Sequence, residues 1–484
     1  MQEKICYNYI RNAILKRGLE MNIEACDVKT SAEAEKVRKY VKMCSRKGAK
    51  AYVHSFGCQL NVSDGEKMKG ILDSLGFSFT DRYEEADLIL LNTCAVRESA
   101  EDTVYGTLGN MKKYKKQNPN VIIILCGCMA QEPKTIEKVK SHYPFVDILF
   151  GTSALSQLPK LLLEHYEGKK LAFDMNEYRE EFSAEDQIRE SSFKASVPIM
   201  FGCNNFCTYC IVPYVRGRER SRSAEVIIKE VEELAAKGYK EIMLLGQNVN
   251  SYGNDIEGGM TFAELLRRLN EIEGDFWIRF MSSHPKDAGK DLLDAILECD
   301  KVAKHLHLPV QCGSDSVLKR MNRHYTAEKY LETVDYLRER YEGFALSSDI
   351  MVGFPNETNE EFEDTLKLVE RVKYDNIFTF IYSKRSGTKA AEMEDITPDS
   401  EKRTRMERLL KLQREVATEN YKRFVGKTER VLVEGESKQG EGWLFGKTSA
   451  FTIVEFKGDK SLIGTFVNVK ITDSRNWAVS GELV

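Results

Sequence analysis

The sequence has no long hydrophobic run, no excess of either charge and no internal repeat, and each absence removes a class of protein. The longest obvious apolar stretch, Val121 to Leu125, has the length of a strand. It falls far short of the roughly 20 residues that cross a bilayer. The N-terminus shows no apolar segment of the secretory kind, so a cytoplasmic protein with no membrane association is expected. Against 71 Lys and Arg stand 75 Asp and Glu, a formal net charge of −4. Global charge therefore lends no support to a nucleic-acid partner, and such a claim must rest on local motifs. Repeat architectures and low-complexity tracts are absent as well. Cysteine, by contrast, is plentiful, with twelve in 484 residues. In a reducing compartment grouped cysteines more often bind metal or do chemistry than pair as disulfides.

The length suits about three domains, and the pattern along the chain divides that way. Residues 1–48 read as a charged surface helical extension, basic at its end through Lys36, Arg38, Lys39, Lys42, Arg46 and Lys47. Residues 49–167 alternate strand and helix. Apolar strands at Ala51–Phe56, Leu88–Asn92 and Val121–Leu125 each run into a cysteine, Cys58, Cys94 and Cys128, and a fourth strand follows at Val146–Phe150. Such alternation predicts a parallel α/β sheet. Ligands gather beyond the carboxyl ends of strands in such sheets, so the three cysteines are expected to converge. The alternative is buried structural cysteine. Residues 168–188 are expected to be an acidic linker, without a clear strand. From 189 to 420 a second series has six strand candidates, Val197–Phe201, Glu241–Leu245, Trp277–Met281, His305–Val310, Ala345–Val352 and Ile377–Tyr382. They suggest a partial (β/α)6 barrel with its chemistry at the strand C-terminal ends, closed by a basic helix carrying Lys402, Arg403, Arg405, Arg408, Lys411 and Arg414. Residues 421–484 switch to short alternating strands, a small antiparallel β-barrel.

Cys203, Cys207 and Cys210 stand in one tight loop just past the first barrel strand. Three thiolates at that spacing suit a [4Fe–4S] cube and leave one iron open. The open iron can hold the amino and carboxylate groups of S-adenosylmethionine (SAM), and an electron from the cluster can then split the sulfonium. A zinc site would be closed by a fourth ligand, and none stands beside this loop. A ligand from far along the chain remains open as an alternative.

The C-x3-C-x2-C spacing resembles that of the radical SAM superfamily, and the likeness extends further. Gly57-Cys58-Gln59-Leu60-Asn61, Asn92-Thr93-Cys94-Ala95-Val96-Arg97-Glu98 and Gly127-Cys128-Met129-Ala130-Gln131 resemble the cluster motifs of the methylthiotransferase family. So do Gly202 to Arg222, Ser283-His284-Pro285, His307-Leu308-Pro309-Val310-Gln311, Met321-Asn322-Arg323 and Asp349 to Pro355, while Val433-Glu434-Gly435 and Leu444 to Thr448 resemble the RNA-binding TRAM domain. The resemblance implies two [4Fe–4S] clusters, a SAM-binding one on Cys203, Cys207 and Cys210 and an auxiliary one on Cys58, Cys94 and Cys128 that carries the sulfur to be transferred. It implies methylthiolation of C2 of N6-(dimethylallyl)adenosine at position 37, beside the anticodon of tRNA. The anticodon stem-loop would be the substrate partner, an electron-donor protein would be needed, and the source of replacement sulfur stays open. A monomer is expected. A sister activity on threonylcarbamoyl-adenosine in tRNA, or on an aspartate of a ribosomal protein, is the near alternative. A metal-stabilised RNA-binding protein without catalysis is the distant one. An unactivated aromatic C–H explains the need for a radical, with the hard chemistry left to the cofactors.

Other positions are weighed singly. Gln247, Asn248, Gln311 and Asp349 lie at or near barrel strand ends and are expected in the vicinity of SAM, with Ser283 and His284 beside them. Arg216, Arg218, Arg220 and Arg222 would form a row along an extended segment, suited to phosphate or to the SAM carboxylate, or would be a solvated run. Lys112, Lys113, Lys115 and Lys116 read as a solvated helix end, and Cys126 reads as packing. Eight basic residues balance eight acidic ones from Phe424 onward, so RNA binding there rests on the resemblance, with Trp443, Phe445 and Phe451 able to stack bases or to form core. Cys6, Cys26, Cys44 and Cys299 have no partner spacing. Cys312, Asn356, Lys384 and Ser386 depart from the family pattern and leave all six ligand candidates intact.

Overall fold

The computed structural model describes residues 30–44, 48–95, 98–176 and 187–484. Cys6, Cys26, Arg46, Lys47, Val96, Arg97 and the acidic stretch 177–186 lie outside the described residues.

The first helix, α1 (Ala32–Cys44), is followed by β1 (Ala49–Ser55), α2 (Gln59–Ser74), β2 (Phe77–Phe79), β3 (Leu88–Thr93), α3 (Glu98–Gln117), β4 (Ile122–Gly127), α4 (Pro133–His142), β5 (Ile148–Phe150), α5 (Leu158–Tyr166) and β6 (Ala172–Asp174). The six strands form one parallel sheet in the order β2-β1-β3-β4-β5-β6. Every residue of β3 and β4 is buried, as continuous apolar runs demand when helices cover both faces of a parallel sheet. Two expectations are corrected here. The segment before residue 49 is more than a surface extension, because Ala34, Val37 and Val41 of α1 are buried in the same core as α5. Residues 168–188 are more than a linker, because Ala172–Asp174 pairs with β5 as the edge strand. Three residues with one exposed member are too short to show a period, which is why the pattern hid them.

The central part begins with β7 (Lys194–Pro198) and β8 (Met200–Phe201), then α6 (Val212–Val215), β9 (Arg220–Ser221), α7 (Ala224–Ala236), β10 (Glu241–Leu245), α8 (Phe262–Asn270), β11 (Trp277–Phe280), α9 (Lys290–Glu298) and β12 (His305–His307). It continues with α10 (Asp315–Arg320), α11 (Ala327–Arg340), β13 (Ala345–Val352), α12 (Asn359–Val372), β14 (Asn376–Ile381) and α13 (Asp399–Tyr421). The six parallel strands form two half-sheets, β7-β10-β11 and β12-β13-β14, joined among the described residues through a bridge between Ile278 and Val302. Ile242 and Leu244 face the covering helices. Met243 and Leu245 alternate to the other face, where they meet Leu60 of α2, Phe201, Met281 and Phe451. The lumen of the open barrel is therefore plugged by side chains from both neighbouring domains. The basic helix α13 is a packing element. Lys402 and Arg405 are buried, with ion pairs to Asp395 at 2.6 Å and to Glu357 at 3.0 Å.

The chain ends in β15 (Thr428–Glu436), β16 (Trp443–Thr448), β17 (Ile453–Lys457), β18 (Phe466–Ser474) and β19 (Ala478–Leu483), a closed five-stranded barrel. The expected antiparallel barrel holds at four seams, but β17 and β19 run parallel. Arg279 of β11 ties this barrel to the centre. Its side chain is fully buried, with Nε 2.6 Å from Glu241 Oε2, while Nη2 and Nη1 donate to the carbonyls of Thr448 and Ser449. Phe451 stacks on it from the next turn at 4.2 Å, so that ring belongs to the domain junction. Arg279→Met leaves Glu241 buried without its main partner, a change that costs about 3–5 kcal/mol. A lower thermal midpoint and faster proteolysis between α13 and β15 are expected. Unaltered thermal unfolding and proteolysis would show the junction to be held elsewhere.

Candidate active site

The N-terminal sheet brings Cys58, Cys94 and Cys128 to its carboxyl edge by topology. They follow β1, β3 and β4, three adjacent strands, and β1/β3 is where the order 2-1-3-4 reverses, the crevice at which such sheets bind ligands. Gly57 has a φ of +94° that favours glycine, and a Cβ there would meet Cys94 Cβ at 2.4 Å and its Sγ at 2.6 Å. Cys128 is pinned through its N–H to the Thr93 carbonyl at 2.9 Å. Cys94 and Cys128 are buried, and Cys58, at the start of α2, is exposed. Burial pushes the Cys128 thiol up to about 11, so it stays protonated at neutral pH until a metal displaces the proton. Cys126 points to the other face, 3.6 Å from Met68 Sδ within the apolar core.

The second trio sits in the loop after β8. Gly202, at φ +77°, could not carry a Cβ, which would lie 2.0 Å from the Arg218 carbonyl oxygen. Phe206 takes a φ of +47°, and Asn322 Nδ2 clamps the bend by donating to the carbonyls of Asn205 and Phe206 at 3.1 Å. The Thr208 N–H and hydroxyl hold Met321 and Arg320 carbonyls, and Cys210 N–H bonds to Cys207 O at 3.0 Å. Burial raises the Cys203 thiol to about 11 and the Cys210 thiol to about 12. Arg323 donates from Nη1 to Cys207 Sγ at 3.4 Å and from Nη2 to Pro309 O at 2.7 Å.

One cysteine of the first trio packs on the segment that follows the second: Cys128 lies with Ala95 against Ile211, next after Cys210, and Val215. Arg216, the next residue, crosses to the N-terminal sheet. It reaches Cys128 Sγ with Nε at 3.1 Å, and its Nη2 contacts Asn61 Oδ1 at 2.7 Å and Asp64 Oδ2 at 2.9 Å. Burial works against its charge, but the negative charges of Cys128 and Cys58 once their protons have left, and of Asp64, outweigh it and hold the guanidinium protonated. Among the described residues no three His, Cys, Asp or Glu side chains close on one metal-ion position. A cube spreads its thiolates over separate irons, a wider triangle than a single tetrahedral ion with bonds of about 2.3 Å would impose. Two sets of three thiols, three of the six buried and each set with a guanidinium on one sulfur, fit such clusters.

A group of orphaned polar atoms lies past β10 and β11. Gln247 Oε1, Asn248 Oδ1, Asn250 Oδ1, Ser283 Oγ and His284 Nε2 are buried without a hydrogen-bond partner among the described residues. Each such atom costs about 1–3 kcal/mol unless something fills its need, so a cluster of five fits a polar ligand such as SAM. Asn248 is held by its Nδ2 on Asp287 at 2.7 Å. His284 Nδ1 accepts the Lys286 N–H at 3.2 Å, and Lys286 Nζ in turn reaches Asn205 Oδ1 in the cysteine loop at 2.7 Å. Burial first, then Arg323, Lys286 and His324, depresses the imidazole far below its usual range. A neutral ring that accepts at Nδ1 carries its proton on Nε2, so His284 presents a donor and not a base.

The structure brings Gln247 and Asn248 together with Asn250, Ser283 and His284. Gln311 and Asp349 belong to the other half-sheet. They are linked by backbone bonds around Gln311, whose φ is +70°, and Asp349 lies 3.6 Å from His307 Nε2. No hydrogen bond joins the two groups among the described residues. Two expectations change. The arginines at 216, 218, 220 and 222 do not form a row, because α6 and the turn at Gly217 interrupt extended backbone. Arg216 serves Cys128, Arg218 stacks on Phe206 at 4.4 Å, Arg220 bonds to Ser153, and Arg222 pairs with Glu230 at 2.9 Å. Lys115 is half-buried on Asp147 at 2.8 Å. Cys312 is buried among Val317, Leu318, Met321 and Phe354, with its thiol 3.3 Å from the Thr365 hydroxyl. Asn356 stands at φ +59° with its Nδ2 on Glu394 O, a left-handed position that favours glycine and that asparagine tolerates. Sequence reasoning gave no role to Asn61, Asp64, Asn250 or Arg323. Asn61 and Arg323 lay inside quoted motifs, whereas Asp64 carried no local signal.

Comparison with known proteins follows the same three parts. Residues 50–151 match the model of the Uncharacterized protein family UPF0004, residues 197–369 the Radical SAM superfamily, and residues 422–484 the TRAM domain. The cobalamin- and [4Fe-4S]-bound radical S-adenosylmethionine methyltransferase TsrM from Kitasatospora setae superposes with a TM-score of 0.51 at 12% identity, over 71% of this chain and 73% of that one. Apo OxsB, a cobalamin-dependent S-adenosylmethionine radical enzyme, gives 0.51 at 14%, over 71% and 54%. These likenesses show the fold. Sequence relatives lie much nearer. The tRNA-2-methylthio-N(6)-dimethylallyladenosine synthase of Thermoanaerobacter pseudethanolicus is 50% identical over 94% of this chain and 98% of its own. That of Clostridium botulinum strain Langeland is 50% identical over 89% and 96%, and that of Acetivibrio thermocellus 48% over 89% and 90%. Radical SAM enzymes require SAM and a [4Fe–4S] cluster. One residue in two shared along nearly the whole length leaves little latitude, and the chain belongs to the tRNA-2-methylthio-N(6)-dimethylallyladenosine synthases, a family of radical SAM methylthiotransferases.

Proposed function

We propose that the protein transfers a methylthio group to C2 of N6-(dimethylallyl)adenosine at position 37 of tRNA. The observation that carries this reading is the packing of Cys128, one of the first trio, on Ile211 and Val215 just after the second trio, with Arg216 reaching back to its sulfur. Cys203, Cys207 and Cys210 would hold the SAM-binding cluster, and Cys58, Cys94 and Cys128 an auxiliary cluster bearing the sulfur. When bound, the clusters and SAM supply a 5′-deoxyadenosyl radical and a methylated sulfur. The chemistry they would supply exchanges the C2 hydrogen, which would end on 5′-deoxyadenosine, for the methylthio group, whose bond to the auxiliary cluster would break with one electron returned to that cluster. The chain's own part is placement. Gln247, Asn248, Asn250, Ser283 and the Nε2–H of His284 meet the polar groups of SAM, with Gln311 and Asp349 on the opposite half-sheet. His284 holds its proton throughout, as the chemistry needs no base. Ile211 and Val215 exclude water between the trios.

In the same reading the domain carrying the auxiliary cluster runs from α1 to β6, beyond the expected 49–167, the radical SAM core spans 189–420, and residues 421–484 bind the tRNA. Trp443, Phe445 and Lys447 alternate along the outer face of β16 and are only half-buried, which suits stacking on unpaired bases. No helix among the described residues is long and apolar enough to cross a membrane. Anaerobic turnover with SAM and prenylated tRNA, followed by mass spectrometry of the nucleosides, tests the proposal. The mark is expected on the prenylated adenosine alone. Its appearance on threonylcarbamoyl-adenosine, or on a ribosomal protein, would assign the sister activity instead.

A further inference from the structure

Among the described residues each cysteine trio has one buried guanidinium donating to one of its sulfurs, and the two differ in what balances the charge. Arg323 reaches Cys207 Sγ at 3.4 Å, and its other bonds go to the Pro309 carbonyl and the Tyr325 hydroxyl, both neutral. Arg216 reaches Cys128 Sγ at 3.1 Å and is paired with the Asp64 carboxylate at 2.9 Å. Arg216 and Asp64 are each 5% exposed, so solvent does little to screen either charge. Asp64 lies on α2, less than two turns after Cys58, while Arg216 comes from the central domain. The pair is thus a charge device assembled from two domains at the edge of one trio.

We propose that Arg216 and Asp64 act as opposed electrostatic controls on the reduction potential of the auxiliary cluster. The inference rests on the reading that Cys58, Cys94 and Cys128 hold that cluster. Reduction places an extra negative charge on the cube, and the potential of a cube responds to net charge, to hydrogen bonds on its sulfurs and to solvent access. A guanidinium on Cys128 Sγ favours the reduced state, and a carboxylate behind it opposes that effect. With both present, the N–H···S bond orients the ligand while most of its charge is cancelled. The auxiliary cluster is then kept from trapping the electron that SAM cleavage needs. The carbonyl and hydroxyl around Arg323 provide no such cancellation, so the two clusters are tuned differently by similar side chains.

The test is a potentiometric titration of the anaerobic full-length protein followed by electron paramagnetic resonance, on the wild type, Asp64→Asn, Arg216→Gln and Arg216→Lys. The same series in a Cys203→Ala background isolates the auxiliary signal. Asp64→Asn is expected to raise the reduced-to-oxidised ratio of the auxiliary cluster at fixed poise at least tenfold, about 59 mV for a one-electron couple. Arg216→Gln is expected to lower it by a similar factor, and Arg216→Lys to fall between wild type and Arg216→Gln. The SAM-cluster signal should stay in place in all of them. Shifts of the same sign in Asp64→Asn and Arg216→Gln, or no shift in either, would overturn the proposal. If Arg216→Gln fails to hold iron, the rise in Asp64→Asn decides, because that variant keeps size and shape. A wild type with a single four-iron signal defeats the auxiliary-cluster reading, and this inference with it. Two clusters with unmoved potentials defeat only this inference.

Discussion

Cys203→Ala is expected to abolish SAM cleavage and product together, by at least about a thousandfold, or roughly 4 kcal/mol of barrier. Cys203 anchors the loop through its N–H on the Gly217 carbonyl at 3.2 Å, and its sulfur is buried. The loss of one of three thiolates leaves a cube with two protein ligands. Iron should fall from about eight atoms per chain to about four, since each trio implies one four-iron cube. The backbone clamps from Asn322 and Thr208 do not depend on the sulfur, so the thermal midpoint should move little. Anaerobic iron analysis, 5′-deoxyadenosine release and nucleoside mass spectrometry read the three effects separately. Retention of SAM cleavage would remove Cys203 from the ligand set.

Cys94→Ala separates the two halves of the chemistry. Iron should again fall to about four atoms, but 5′-deoxyadenosine should still form on addition of SAM and reductant, within several-fold of wild type. The 2-methylthio product should disappear. Cys94 is buried with its Sγ against Gly57, and the shorter side chain relieves rather than creates a contact. Uncoupled SAM cleavage is the distinctive result, because a merely structural cysteine would impair both activities in proportion. Methylthio product from this variant at wild-type rate would refute the placement of the sulfur on the first trio.

The long strands were legible because β3, β4 and β10 are largely apolar runs bounded by turn residues, and because each cysteine motif begins where a strand stops. The short elements were not. Phe77–Phe79 and Ala172–Asp174 exist through pairing with strands already formed, and three residues carry no period of their own. The helix at Ala32–Cys44 looked like surface because only Ala34, Val37 and Val41 face inward along a charged stretch. The arginines after the second trio misled for a similar reason. Alternation in sequence becomes a row only where the backbone is extended, and here a short helix and a glycine turn send each side chain to a different partner.

The sequence by itself determined the two sets of cysteines, their positions at strand ends and the order of three domains, because these depend on residue type and local spacing. Only the tertiary structure decided that Arg216 touches Cys128 while Asp64 stands behind it, that Arg279 and Phe451 lock the last barrel to the centre, and that five polar atoms past β10 and β11 lack partners. Those relations join residues as far as 170 positions apart. They are set by which faces pack against each other when separate cores dock, and no local pattern in the chain encodes that.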